Sequence, residues 1–484
     1  MKNKGAILLA LLGCILAAIP FLVIEFPPLT DLPQHLAQVR LFAETFNNPD
    51  SPYRIQWITP YSLVYGVLGA SWVIFGPENA GRLGMLVIVI FWIVMLHFLA
   101  YKMKRPVLAA FLASILFFGH ILYWGFYQFA FGWPLFIGWI LLTKIEFRSR
   151  WKEGLAFFLA SIVLYTAHIF WFLLALGWLV ARHVIFKGDL KKLILRVAVA
   201  APFLLLGIAW YPSLAAYGFK SQTIWATTPF ERLSPVWLVD ASFGGVRGSM
   251  EYVFFALLVG WVVLACLRNR QALFSKLDKE LLLLSALLFL LALVFPDKQT
   301  NTIRFCQRWV PPAFAFLLLS LPELRVRKNI LTSVVLSIVS VFFALTSLSW
   351  IAFESSEMSG LKESLAALPD GPRVLGLSYI KESTILKGWP FIQVFAYSQV
   401  YRGGELNFSF ADFRPSLVIY RQPRRFPWTP ALEWFPEKAK NSDLSFFEYS
   451  LINADEDLHA SIRANSILQQ ITSNGRWRLY KVHH

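Results

Sequence analysis

The chain has 484 residues, of which 57% are hydrophobic and 15% are charged. Because a water-soluble globular protein carries about a quarter charged residues, this composition excludes a soluble enzyme or regulator. The formal net charge is +16, but the lysines and arginines lie mostly in short connections between apolar runs, where they report membrane topology. We therefore predict a polytopic membrane protein with no nucleic-acid partner.

About eleven apolar runs come close to the ~20 residues that a helix needs to cross a bilayer. They cover residues 5–24, 80–101, 106–123, 126–143, 154–171, 172–186, 194–211, 251–267, 281–296, 308–322 and 330–352. The first run continues through Ile24 and is expected to be an uncleaved anchor. The fifth and sixth runs are continuous around His168, where we expect a tight turn.

The basic connections predict the orientation. If the apolar stretch 60–76 lies along the membrane interface and does not cross, every basic connection falls on the same side, which is the cytoplasmic side. The N-terminus is then cytoplasmic, and the loops 25–79 and 212–250 face outward together with the C-terminal part. We expect an integral protein of a bacterial inner (plasma) membrane.

From about residue 353 the composition becomes that of a soluble domain. "PRVLGLSYI" and "FFEYSLINA" are typical of strands, "LHASIRANSILQQI" of a helix and "WRLYKV" of a closing strand. The predicted fold is thus mainly α, with a transmembrane domain over residues 1–352 and a small extracytoplasmic α/β domain over residues 353–484.

The outward loop 25–79 begins with a short amphipathic segment, "DLPQHLAQVR". Apolar residues recur at helical spacing after Pro33, so we expect a helix at the membrane interface with its polar side, including His35, toward water. Asp31 stands at the start of this helix. One interpretation makes Asp31 a structural cap, because Asp-x-x-Gln is a capping box and a capping carboxylate stays ionised. The other makes it functional.

These residues resemble the GT-C glycosyltransferases, which include protein O-mannosyltransferases and lipid A aminoarabinose transferases. The resemblance rests on a first span, then Asp31 at the start of an interfacial helix, then a second helical run ending at Arg82, and a soluble C-terminal domain. It covers the first ~100 residues and, more loosely, the remainder.

The resemblance implies an inverting transferase that moves a sugar from a polyprenyl-phosphate carrier to a glycan, lipid or protein acceptor at the outer membrane face. Asp31 would act as general base, because the acceptor hydroxyl loses its proton as it attacks the anomeric carbon. His35 would orient Asp31 or the sugar. Several relatives carry a second acidic residue after the aspartate, whereas this chain has Leu32, so we predict no metal at this position.

A carrier phosphate requires cationic partners, for which the fork of an arginine is best suited. Arg304 and Arg308 are four residues apart at the start of a predicted span, so we expect them to share one helix face and to bind the donor phosphate with Lys298 and Arg247. Further possible substrate contacts are Arg40, Arg82, His120, His168 and Arg402. The segment "HILYWGFYQFAFGWP" predicts either an interfacial aromatic belt or a wall for the substrate.

Three other functions remain open at this point. A flippase or transporter for the lipid-linked sugar would show inverted repeats or charges in mid-membrane, and neither stands out. A polysaccharide polymerase or ligase would concentrate its essential arginines and histidines in one late loop. A non-catalytic glycan-binding protein or sensor would tolerate substitution of Asp31.

Overall fold

The computed structural model describes residues 2–212, 222–300, 302–424 and 426–483, and within these ranges the protein is mainly helical. The helices are α1 (Lys2–Leu22), α2 (Leu32–Asn47), α3 (Leu63–Phe75), α4 (Pro77–Lys102), α5 (Val107–Ala113), α6 (His120–Tyr123), α7 (Tyr127–Leu142), α8 (Arg150–Ala167), α9 (Ile169–Phe186), α10 (Leu190–Trp210), α11 (Pro235–Ser242), α12 (Met250–Arg268), α13 (Leu273–Lys276), α14 (Lys279–Val294), α15 (Val310–Ser320), α16 (Lys328–Glu357), α17 (Leu361–Ala366), α18 (Tyr397–Arg402), α19 (Asn441–Leu444) and α20 (Glu456–Arg463).

The strands are short and lie mostly in the C-terminal part. They are β1 (Tyr53–Ile55), β2 (Thr223–Ile224), β3 (Lys298–Gln299), β4 (Thr302–Ile303), β5 (Arg373–Ser378), β6 (Glu405–Leu406), β7 (Val418–Tyr420), β8 (Tyr449–Asn453), β9 (Leu468–Gln470) and β10 (Trp477–Val482).

Six helices of the described residues are long and apolar enough to cross a membrane, namely α1, α4, α9, α10, α12 and α16. Helices α7 and α14 have 16 residues each, and α15 has 11. The predicted turn at His168 is confirmed, because α8 ends at Ala167 and α9 begins at Ile169. The His168 Nδ1 atom accepts the N–H of Phe170 at 3.2 Å, which caps α9.

The prediction of one continuous span over residues 106–123 is wrong. The segment is divided into α5, a 3-10 turn over Ser114–Phe117 and the short α6. Gly119 separates the last two elements with an extended backbone, and a β-carbon there would stand 2.5 Å from the Ser242 carbonyl oxygen. Almost every side chain of this segment is buried. Its uniform hydrophobicity therefore reflects burial on all sides within the protein, which composition alone does not distinguish from lipid exposure.

The C-terminal part contains a five-stranded mixed sheet with the order β6-β5-β8-β10-β9. Strands β5, β8 and β10 lie where the sequence predicts strands. The predicted helix over "LHASIRANSILQQI" is correct only in its first half. There α20 is capped by Asp455, whose Oδ1 accepts the Leu458 N–H at 2.9 Å. Its second half forms β9, which extends the sheet by pairing with β10.

The first loop is joined to the C-terminal part by backbone and side-chain hydrogen bonds. Strand β1 pairs with β7 in antiparallel register, with Arg54 opposite Ile419. The Gln38 Oε1 atom accepts the Val418 N–H at 2.8 Å. Helix α2 therefore packs under the C-terminal part, and His35 and Gln38 are buried. The expectation that the polar side of this helix faces water is wrong, because the C-terminal chain covers it.

Candidate active site

Asp31 precedes α2 but does not cap it. Its backbone is helical (φ −93°, ψ 0°), and its side chain makes no capping hydrogen bond. The Gln34 amide, which a capping box would require, points instead to the C-terminal part. It donates to Gln393 Oε1 at 2.9 Å and accepts the Phe410 N–H at 3.0 Å. The structural-cap interpretation of Asp31 is therefore wrong.

The Asp31 carboxyl group lies against the backbone of Gly125. A β-carbon on Gly125 would stand 2.4 Å from the Asp31 Cβ and 3.0 Å from its Oδ2. Gly125 has φ +97°, a conformation that L side chains rarely adopt. The chain thus passes Asp31 at a distance that only glycine permits.

Burial raises the pKa of the Asp31 carboxyl to about 7, although the charge of Arg308 acts in the opposite direction. The carboxyl is surrounded by protein on most sides, yet the residue keeps some access to water. Carboxylates that accept several hydrogen bonds have low pKa values, and Asp31 lacks such bonds among the described residues. Its proton affinity is consequently that of a base useful near neutral pH.

His35 lies on the next turn of α2 and is buried. Its Nδ1 atom is 2.9 Å from the Tyr65 hydroxyl oxygen, and its ring packs against those of Tyr127 and Phe410. Burial lowers the pKa of His35 to about 4, with a backbone hydrogen bond to Gly125 opposing the shift, so the ring is neutral at pH 7. His35 therefore holds the surroundings of Asp31 in place and makes no hydrogen bond to the carboxyl itself.

Arg304 and Arg308 do not share a helix face, contrary to the expectation. Arg304 has a left-handed backbone (φ +50°), a 3-10 turn follows over Gln307–Trp309, and α15 begins only at Val310. Two prolines occupy the first turn of α15, where proline fits without loss of a hydrogen bond. The two arginines consequently point to different partners.

Arg308 is buried beside Asp31. Its guanidinium carbon lies 3.4 Å from the centroid of the Phe126 ring, and its Nη2 donates to the Ile303 carbonyl at 2.8 Å. The Nε atom is buried without a hydrogen-bond partner in the described part of the chain. No ion pair of the described residues joins Arg308 to Asp31 within 4 Å. The charge of Arg308 therefore acts on the Asp31 carboxyl without a direct ion pair among the described residues.

Arg304 belongs to a second cluster around Asp240, and this cluster includes His120 as well. The Arg304 Nη1 donates to Asp240 Oδ2 at 3.2 Å, and the His120 Nε2 is 3.0 Å from the same oxygen. Lys387, from the C-terminal part, places its Nζ 3.6 Å from Asp240 Oδ1 and 2.7 Å from Glu251 Oε2. Burial raises the pKa of Asp240, but its hydrogen bond to His120 and the charges of Arg304 and Lys387 hold it below its usual range.

Three consecutive residues connect the two groups. Trp124 lies under Arg304 (5.2 Å from guanidinium carbon to ring centroid), Gly125 contacts Asp31, and Phe126 lies under Arg308. This segment joins α6 to α7 within the aromatic stretch that the sequence singles out. It brings one carboxyl group and two guanidinium groups onto a single strip, which is suited to bind an anion beside a base.

Four other predicted contacts serve the structure. Arg247 donates to the Ser383 and Leu386 carbonyls, and Arg402 donates to the Ala366 carbonyl. Arg82 donates to the Ile24 carbonyl at 2.9 Å and to Asn79, which fixes the end of α1. Arg40 pairs with Glu44 at 2.5 Å on a partly exposed face of α2. Within the described ranges, none of these four forms a hydrogen bond or ion pair with Asp31, Arg304 or Arg308.

Lys298 and His168 lie on the same side of the site as Arg308. Lys298 is in the hairpin β3–β4, which leads directly into Arg304. His168 packs against the rings of Tyr61 and Phe129, and Arg308 acts on it electrostatically. Arg232, in the same loop as Arg247, is buried and donates to carbonyl groups at the end of α14.

Asp240, Lys387 and Gly125 also contribute to this candidate site, although no pattern in the sequence singles them out. Asp240 follows an apolar stretch without a recognisable motif, and Lys387 lies some 80 residues after Arg304 in the chain. Within the described residues, no group of three or more His, Cys, Asp or Glu side chains lies close enough together to hold a metal ion. His35, His120 and His168 each have separate partners.

No family model matches the sequence, and no curated protein matches it. Among solved structures, ArnT from Cupriavidus metallidurans bound to undecaprenyl phosphate aligns with 99% of this chain and 98% of its own, with a TM-score of 0.56 and 11% sequence identity. The apo state of the same protein aligns over the same shares with a TM-score of 0.46 and 11% identity. The chain therefore shares its overall fold with ArnT over nearly the full length of both chains, in agreement with the resemblance drawn from the sequence.

Proposed function

We propose that the protein is an inverting membrane glycosyltransferase that moves a sugar from a polyprenyl-phosphate carrier to an acceptor hydroxyl at the outer membrane face. The observation that carries the proposal is Asp31. Its carboxyl group has a pKa near neutral, no hydrogen-bond partner among the described residues, and a guanidinium group on the same strip. A general base with this pKa removes a hydroxyl proton efficiently at physiological pH.

The shared fold supports a polyprenyl-phosphate carrier. The ArnT structure holds undecaprenyl phosphate, and the present chain aligns with it over nearly its whole length. A sugar linked to such a phosphate brings its own leaving group, so a nucleotide is not needed on the outer face. The unpartnered Nε of Arg308 and the partly exposed Arg304 supply the cationic contacts that a lipid phosphate requires.

The proposed step is a single displacement at the anomeric carbon. The acceptor oxygen forms a bond to this carbon as the bond from the carbon to the phosphate oxygen breaks. The hydroxyl proton passes to Asp31, and the electron pair of the broken bond stays on the polyprenyl phosphate, which gains one negative charge. Arginine side chains near that oxygen stabilise the charge as it develops. Attack opposite to the leaving phosphate inverts the anomeric configuration.

The residues around Asp31 and the arginines hold these side chains in position. Gly125 lets the backbone pass close against the carboxyl, and His35 contacts the Tyr65 hydroxyl through its Nδ1 atom. Lys387, a residue of the C-terminal part, adds a positive charge to the Asp240 cluster, so the membrane helices alone do not complete the site. This contribution gives the C-terminal part a role in substrate binding.

The test is mass spectrometry of envelope glycans and glycolipids from host cells. Cells with the wild-type protein are compared with cells lacking it and with cells that contain Asp31→Asn at an equal membrane level. Loss of the same sugar from the deletion and from the variant is the expected result. If the variant retains the sugar that the deletion loses, Asp31 is not the base, and transport of the lipid-linked sugar replaces transfer as the function.

A further inference from the structure

An aromatic corner lies beside the Asp240 cluster, and none of the steps above uses it. It consists of Trp389 and Trp434, whose ring centroids are 5.4 Å apart with the planes at 77°. The Trp389 ring is 6.1 Å from that of Trp124, and 37% of this tryptophan is exposed. A tryptophan this exposed, held in place by two other aromatic rings, offers a rigid apolar surface to a ligand.

The corner is adjacent to the site because of the chain segment that carries it. Lys387 contacts Asp240, and Gly388 follows with φ +79° against the Trp124 ring, where a β-carbon would stand 3.3 Å from the indole. Trp389 is the next residue. Three consecutive residues of the C-terminal part thus connect the Asp240 cluster, the Trp124 ring and the corner.

Charged side chains of both signs border the corner. Phe435 follows Trp434, and the ammonium groups of Lys381 and Lys438 lie 5.5 and 4.2 Å from the centroid of its ring. Glu437 pairs with Lys381 at 3.8 Å. Carboxylate and ammonium groups form hydrogen bonds with the hydroxyl groups that a polar ligand carries at its edge. This border favours a polar ligand that has one apolar face.

We infer that Trp389 and Trp434 form an acceptor subsite that binds a pyranose ring, so that the acceptor of the reaction is a glycan. This inference rests on the proposed function. A pyranose has a face of C–H groups that stacks on an indole ring, and hydroxyl groups at its edge that bond to carboxylate and ammonium groups such as Asp240 and Lys387. The donor sugar must lie against its phosphate and Asp31, which contact the strip at Gly125 and Phe126. The corner packs against Trp124, at the other end of the strip, and therefore suits the acceptor.

Saturation-transfer NMR on the full chain in lipid nanodiscs tests the subsite. The probes are methyl β-D-glucopyranoside, methyl α-D-mannopyranoside and the methyl glycoside of N-acetylglucosamine. We expect transfer to the ring C–H protons of at least one probe with the wild-type protein, and a roughly tenfold weaker affinity in Trp389→Ala and in Trp434→Ala. Trp57→Ala, at an exposed tryptophan of the first loop, is the matched control and should bind the probe as the wild type does.

Asp31→Asn separates this inference from the proposed function, because it should bind the pyranoside normally even though transfer is lost. A polyprenyl-phosphate-sugar fraction extracted from host membranes identifies the source of the ring. If the pyranoside stays bound in its presence, the subsite holds the acceptor, and if it is displaced, the corner holds the donor sugar and the inference is wrong. Absence of transfer to every probe, or equal affinity in the two tryptophan variants, also overturns it. Quenching of Trp389 by brominated phospholipid, measured against Trp389→Phe, would show instead that the corner meets the membrane.

Discussion

Gly125 and Asp31 touch so closely that a β-carbon on Gly125 would stand 2.4 Å from that of Asp31. The contact determines the position of the Asp31 carboxyl group, since this group packs against the backbone of residues 124–126. It also links the first loop to the connection between α6 and α7, which carries the aromatic rings under both arginines.

We predict that Gly125→Ala lowers the rate of transfer by about 100-fold or more, because a displacement of the base by about 1 Å is enough for such a loss. The methyl group must push Asp31 away or distort the backbone at φ +97°. The measurement is the initial rate of product formation in membranes that contain equal amounts of each variant.

Gly248→Ala is the control for this variant. Gly248 has φ +95°, but a β-carbon there meets nothing within 4 Å. It carries the same backbone strain without the collision, so its rate should stay within a few-fold of that of the wild type. Equal losses in both variants would mean that backbone strain, and not the position of Asp31, sets the rate.

The second prediction concerns Asp31 itself. Asp31→Asn should lower transfer by roughly 10²- to 10⁴-fold, which is the usual range for a lost general base. In the wild type the rate should rise with pH through about 7, where the carboxyl loses its proton. Asp50→Asn, an exposed position later in the same loop, should leave both the rate and the pH profile unchanged.

Asp31→Asn lowers the rate of transfer but should increase the stability of the folded chain at high pH. The pKa of Asp31 is higher in the folded chain than its ordinary value of 3.8, so the folded state binds the proton more tightly. This carboxyl therefore costs stability progressively as pH rises from about 4, and the cost is complete above about 7. Asp31→Asn should melt at a higher temperature than the wild type at pH 8 and at a similar temperature at pH 4. An unchanged difference across this range would show that burial does not shift the pKa of Asp31.

The third prediction uses the charge of Arg308, which lowers the pKa of Asp31. Arg308→Gln should move the rising limb of the pH–rate profile to higher pH, in addition to lowering the maximal rate through loss of a phosphate contact. Arg308→Lys keeps the charge and should bring the limb back toward its original position. Arg247→Gln, at an arginine that pairs with Glu382, should not move it. If the rising limb of the pH–rate profile stays at the same pH in all three variants, the group that titrates is not Asp31.

The sequence predicted a mainly helical membrane protein, and it singled out Asp31 as a candidate base, but it did not predict the surroundings of Asp31. Asp31 could be selected because a charged residue in an otherwise apolar chain stands at the start of an amphipathic segment. Its alternative as a helix cap was equally consistent with the local pattern. Only the position of Gln393 and Phe410, more than 350 residues away, shows that Gln34 is used elsewhere.

The arrangement of Arg304 and Arg308 could not be predicted for a related reason. Their spacing of four is typical of one helix face, yet the helix begins after them because prolines 311 and 312 occupy its first turn. No sequence pattern identifies Lys387, since a single lysine in a soluble segment has many possible roles. Long-range contacts between the C-terminal part and the membrane helices determine its place.

The fourth prediction tests whether the C-terminal part holds the base in position. Gln34 is fully buried and bonds through both its amide atoms to that part. Gln34→Leu leaves the N–H of Phe410 and the amide of Gln393 without these partners, which costs about 1–3 kcal/mol for each unsatisfied group. We expect a lower melting temperature, faster proteolysis of the first loop, and a transfer rate reduced in proportion to the loss of order around Asp31.

Glu44→Gln is the matched control, because Glu44 lies on the partly exposed face of the same helix and, among the described residues, its one ion pair is with Arg40. Ion pairs of this kind contribute about 0–1 kcal/mol, so stability and rate should change little. If Gln34→Leu keeps the wild-type rate while the first loop becomes protease-sensitive, the C-terminal part is not needed to position Asp31. Its contribution would then be limited to the substrate contacts of Lys387 and of the Trp389–Trp434 corner.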